Sequence, residues 1–121
     1  MKNYDLYVGI DVSSETIDVV TSIGEYQKLR NDKQGFKELE ELLLPNSLVV
    51  MEATGVYHQS IAYYLHNHGD QVSVMQSGRV KRYAQSLDQR SKTDALDSKM
   101  LSMLGLERKL RLWEPPSTDL L

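Results

Sequence analysis

The order of the apolar runs constrains this chain most. Three short β-rich stretches, "YDLYVGIDVS", "TIDVVTSI" and "EYQKLRN", follow one another with only the polar "SSE" and a Gly24-Glu25 turn between them. Two more, "SLVVMEATG" and "QVSVMQ", are each preceded by a segment of helical spacing. Closely spaced strands pair as hairpins, whereas strands separated by a helix return in parallel. The pattern therefore predicts an α/β fold with a mixed five-stranded sheet flanked by helices.

Phe36, Leu39, Leu42 and Leu43 set the period of a first helix over 35–44, stopped by Pro45. Ile61, Ala62 and Leu65 set a second within 56–68, ended by Gly69 as a C-terminal cap. A basic helix is expected in "SGRVKRYAQSL", and Thr93 is a suitable N-cap for another over "DALDSKMLSMLGL". With 121 residues the chain is long enough for one domain that buries roughly two-thirds of its unfolded surface, and too short for two.

Composition narrows the function. There is no cysteine, which excludes disulfides and thiolate metal sites. Asp5 and Asp11 interrupt the N-terminal region where a signal peptide needs an apolar stretch, and no run approaches ~18 apolar residues, so a cytoplasmic protein without a membrane span is expected. Net charge is −3, but unevenly spread: residues 1–77 hold 5 Lys/Arg against 11 Asp/Glu, and residues 78–121 hold 9 against 6. Arg79, Lys81, Arg82, Arg90 and Lys92 make the second part locally basic, as a solvated helix face or as a surface for an anionic partner.

Against this background Asp11 and Glu52 stand out. Both sit in apolar strand contexts, "VGIDV" and "VVMEATG", at the ends of expected central strands. A carboxylate beside a sheet core is costly unless paired, and two at one sheet edge raise a pKa or require a cation. Ligands in such sheets lie at the carboxyl ends of strands. Asp94 and Asp97 in "KTDALDSKM" share one helical face at an N-terminal turn; alone, they are as well explained by the helix dipole. Together, four acids without cysteine suit Mg²⁺ or Mn²⁺ better than Zn²⁺.

"GIDVSSETIDV", "VVMEATGVYH" and "SLDQRSKTDALDSKML" resemble, in order, the three signature blocks of the DEDD transposases of bacterial insertion sequences, the family that includes the Piv and MooV recombinases. The resemblance implies an RNase H-like (RuvC-like) fold, with the catalytic, metal-binding tetrad on Asp11, Glu52, Asp94 and Asp97. It implies Mg²⁺-dependent DNA strand cleavage and exchange, with Arg79 to Lys92 beside the phosphate backbone, a structured guide RNA in some members, and a homo-oligomer in the full-length protein. Family members are roughly twice this length or more, with a second domain that carries a serine nucleophile. The expected organisation is a catalytic domain over 1–112 and the start of a linker over 113–121, incomplete for catalysis alone. Ser13 and Ser14 are not assigned the nucleophile's role.

Two other readings compete. An actin-like ATPase also follows "GID" with a phosphate loop, but "DVSS" lacks the glycine such a loop needs, and one domain cannot form the interdomain cleft. A non-catalytic nucleic-acid-binding or dimerisation module would use the basic segment and treat the acids as structural. His58 is expected on a helix surface, Thr54 and Gly55 in a plain turn, and Tyr57 and Tyr83 in the core rather than stacked on bases. "MLSMLGL" is apolar on more than one face, so it is either deeply buried or covered by a partner.

Overall fold

A computed structural model describes residues 4–53, 55–76, 94–107 and 110–116, and the side chains of these except 94–97 and 107. Five strands form one sheet: β1 (Leu6–Val12), β2 (Thr16–Thr21), β3 (Tyr26–Arg30), β4 (Ser47–Glu52) and β5 (Gln71–Met75), in the order β3-β2-β1-β4-β5. The first three are an antiparallel meander, and β1, β4 and β5 run parallel. This is the mixed sheet that the order of apolar runs predicts, with the RNase H-like arrangement. β1 and β4, which carry Asp11 and Glu52, are central.

Helix α1 (Lys33–Leu42) starts and ends two residues before its predicted bounds. Asp32 causes the early start: its side chain accepts a hydrogen bond from Gly35 N at 2.9 Å and so satisfies one of the helix's unpaired donors. Leu43 is already extended, ahead of the restriction that Pro45 places on Leu44. Asp32→Ala should cost about 1 kcal/mol in urea unfolding; an unchanged midpoint would show that the cap is redundant.

Helix α2 (Gln59–Asn67) is shorter than the predicted segment, because Gly55, at φ +57°, opens a turn that lasts through His58. Its far end is as expected: Gly69, at φ +82°, takes the left-handed position after the cap. Helix α3 (Asp94–Glu107) follows; Thr93 and the predicted basic helix lie outside the described residues. No helix among the described residues is long and apolar enough to cross a membrane.

The alternation of side chains splits the core into two layers. Leu6, Val8, Ile10 and Val12 of β1 pack with Phe36 and Leu39 of α1 and Ile61, Ala62 and Leu65 of α2. Tyr7, Leu48, Val50 and Met75 face α3 and pack with Met100, Leu101 and Leu104. "MLSMLGL" is thus buried along one side, while Met103 and Leu106 line a groove of about 450 Å³ with Val20 and Tyr26 of the sheet. Residues 110–116 pass along the β5 edge from the α3 face, where Leu110 packs, to the other face, where Trp113 N donates to Val72 O and the indole meets Tyr63 and His66 edge-on.

A half-buried carboxyl pair joins α1 to the loop before β5. Burial, then the hydrogen bond and negative charge of Asp70, push the Glu40 carboxyl up to about 8. The folded value lies above the unfolded one, so the stability this group contributes is complete below about 4.5 and is lost as pH rises through 8. Glu40→Gln keeps a donor for Asp70 without titrating. Urea unfolding between pH 5 and 8.5 should therefore show a flatter pH dependence for the variant; identical slopes would rule this pair out as the cause.

Candidate metal centre and its relatives

Asp11 is the penultimate residue of β1, and Glu52 is the last of β4. Ile10 and Met51 are register partners, so the two acids follow directly, one strand spacing of about 4.8 Å apart. Alternation from Tyr7 and Gly9, and from Leu48 and Val50, puts both on the sheet face covered by α3. Each is half-buried.

α3 runs antiparallel to β1. Its Ser98–Ser102 turn lies over Gly9, and Gly105 lies over Tyr7 and Val50, so its N-terminal turn points toward the strand ends that carry the acids. Ser98, fully buried, fixes this alignment by donating its hydroxyl to Asp18 O at 2.7 Å. Asp18 is in turn the cross-strand partner of Asp11. Asp94 and Asp97 occupy the turn just before Ser98; their side chains lie outside the described part. The backbone thus brings all four predicted acids to one edge. Arg79, Lys81, Arg82, Arg90 and Lys92 lie outside the described residues.

Asp18 is the residue that the sequence reading misses. It is buried on the same face as Asp11, and its carboxylate accepts from Tyr26 Oη at 2.7 Å and pairs with Lys28 Nζ at 3.2 Å. "TIDVV" repeats the pattern of "GIDV", an acid inside an apolar run, and that was its signal.

Nearby loops are tied together. Asn31 Nδ2 donates to Ser13 O at 2.8 Å and Tyr57 O at 3.2 Å, linking the β1–β2 hairpin to the segment before α2. Ser13 itself is turned into its hairpin, with its hydroxyl 2.9 Å from that of Thr16. Two expectations need correction. Tyr57 is not in the core: the turn opened by Gly55 holds it outside the helix, half-exposed. His58 is a half-buried residue preceding α2, and burial lowers its imidazole pKa. Tyr83 and Thr54 lie outside the described residues.

Among the described residues no three acidic or histidine side chains are grouped to hold a metal ion; Asp11 and Glu52 are the two predicted acids whose side chains are described. Their chemistry fits a hard cation. Adjacent carboxylates on one face repel unless a positive charge is shared between them, and an oxygen-only donor set suits a divalent ion.

Comparison with known proteins decides the family. A DEDD transposase model of the IS110 group, described as "Transposase", matches residues 8–121. The chain belongs to this family. Among curated relatives of this DEDD transposase domain, the pilin gene-inverting proteins of Moraxella bovis and Moraxella lacunata are each 30% identical over 122 residues. The match covers 93% of this chain and 38% of each relative's length. DEDD transposases act on DNA and depend on a divalent metal for catalysis.

Proposed function

We propose that this chain is the RuvC-like catalytic domain of a DNA transposase or recombinase, which cleaves and exchanges DNA strands by metal-dependent phosphodiester chemistry. The observation that carries this reading is the pairing of Asp11 and Glu52 on adjacent parallel strands, under a helix whose first turn bears Asp94 and Asp97 and is anchored at Ser98.

The four carboxylates are the ligands of Mg²⁺ or Mn²⁺, which when bound would neutralise charge developing on the phosphodiester and activate the attacking group. Asp11 and Glu52 hold their places through the rigid central strands, and Asp94 and Asp97 through the docking of α3. Arg79, Lys81, Arg82, Arg90 and Lys92 contact the phosphate backbone. Residues 1–112 form the catalytic domain and 113–121 lead into the linker of a longer cytoplasmic protein. That protein works as a homo-oligomer and, in the manner of some family members, with a structured guide RNA.

Full-length protein should nick labelled donor DNA with Mg²⁺ or Mn²⁺ present and lose that activity in EDTA. Cleavage that persists in EDTA would overturn the metal-dependent reading. Binding to DNA without cleavage under any metal would favour the alternative, a non-catalytic nucleic-acid-binding or dimerisation module.

A further inference from the structure

Three connections meet at the end of the sheet that carries Asp11 and Glu52. Asn31, directly after β3, donates its backbone N–H to Glu15 O in the β1–β2 hairpin at 2.8 Å. Its side-chain Nδ2 donates both to Ser13 O of that hairpin and to Tyr57 O of the turn between β4 and α2. Ser13 is two residues beyond Asp11, and Tyr57 is five beyond Glu52. One amide thus fixes the turn that leaves Glu52 to the hairpin that leaves Asp11.

The turn is held along its length. Val56 O accepts from Gln59 N at 3.2 Å, Tyr57 O from Asn31 Nδ2, and His58 O from Ala62 N at 3.0 Å. With three successive carbonyls taken, what Val56 and Tyr57 show to water is chiefly side chain, and they are 65% and 50% exposed. Among the described residues the Tyr57 ring meets no other aromatic ring. A single exposed apolar residue needs no explanation. An aromatic ring on a turn fixed by a side-chain clamp, at the edge where two carboxylates gather, is a different case. It offers contact area already held in place, so little ordering entropy is lost when something settles on it.

The edge also selects the kind of contact. Asp11 and Glu52 bring negative charge, which opposes a nucleic-acid strand wherever no cation intervenes. A tyrosine ring grips such a strand through the face of a base, independently of charge. Bases inside a duplex have both faces occupied by their neighbours, so the ring suits an unpaired one. We propose that Tyr57 is a base-stacking residue, held at the metal-centre edge by Asn31, which takes an unpaired base of the DNA strand whose phosphate lies at Asp11 and Glu52. The inference rests on the proposed function above, which supplies DNA as the substrate. Asn31 acts only through the turn and is a positioning residue.

The test is fluorescence anisotropy of full-length protein with labelled donor DNA carrying a short unpaired stretch at the cleavage position, together with versions that each lack one unpaired base. Tyr57→Ala should weaken binding roughly tenfold with an unchanged salt slope, because a stacking contact and no charge is removed. Tyr57→Phe should retain wild-type affinity, and Asn31→Ala should give an intermediate loss. At one position, removal of the base should cost the wild type as much as Tyr57→Ala does and cost the variant nothing, the coupling expected of two groups in contact. Wild-type affinity in Tyr57→Ala, the same loss on fully paired DNA, or base removals that add to the variant's loss at every position would overturn the proposal. A loss seen only with RNA of the same sequence would overturn the assignment to DNA. Failure of the underlying reading has a separate signature, Mn²⁺ binding that survives in Asp11→Asn.

Discussion

Gly9→Ala should destabilise the domain by roughly 3 kcal/mol and lower its melting temperature by about 10 °C. Gly9 is in the middle of β1, where a glycine ordinarily weakens a strand. Here it admits a helix. A Cβ built on Gly9 would lie 1.8 Å from Ser98 O and 2.5 Å from Ser102 N, both backbone atoms of α3 that no side-chain rotation can move. The whole helix would have to lift, and with it the packing of Leu101 and Leu104 on Tyr7, Leu48 and Val50. Gly105, on the helix side of the same interface, makes the contrast. Its nearest obstacle is Val50 Cγ2 at 2.8 Å, a single methyl of a packed side chain rather than backbone, so Gly105→Ala should cost less than Gly9→Ala. Thermal unfolding followed by circular dichroism measures both, and equal effects would contradict this account of the docking.

The second large effect is chemical. Asp11→Asn in the full-length protein should reduce recombination about a thousandfold or more, because the metal's stabilisation of transition-state charge is worth several kcal/mol and each 1.36 kcal/mol is about tenfold in rate. Asparagine keeps the volume of the side chain and removes its charge, and Asp11 is half-buried at the end of its strand, so the fold should survive. Recombination frequency, measured alongside a melting curve, separates the two contributions. A variant that folds and recombines like the wild type would remove Asp11 from the site.

Much of the fold is legible in the sequence because its strands are short apolar runs bounded by unmistakable turn chemistry. The order of those runs is enough to distinguish the antiparallel meander from the parallel crossovers. Helix starts are less legible. Asp32 looks like an ordinary loop acid until its carboxylate is seen on Gly35 N, and Gly55 looks like a simple terminator until its positive φ sets the path of Val56 and Tyr57. Tyr57 is then exposed for a reason that no helical-face argument contains: it is not on the helix.

The site divides in the same way. Asp11 and Glu52 are conspicuous because charge inside an apolar run has few explanations. Asp18 has the same local pattern, but its meaning depends on register, which pairs it with Asp11 on one side and Lys28 on the other. Ser98 is hidden further. It is a small polar residue in an apolar helix, and only the 2.7 Å bond to Asp18 O, across 80 residues of chain, shows that it aligns the turn bearing Asp94 and Asp97 with β1 and β2.

The central claim is that a divalent cation is shared by Asp11, Glu52, Asp94 and Asp97. Titration of the purified protein with Mn²⁺ and Mg²⁺, by calorimetry or NMR, tests it most directly when wild type and Asp11→Asn are compared. Saturable binding in the wild type that is lost in the folded variant is the predicted result. Equal binding in both, or none in either with DNA present, would contradict the metal centre and leave the acids with a structural role.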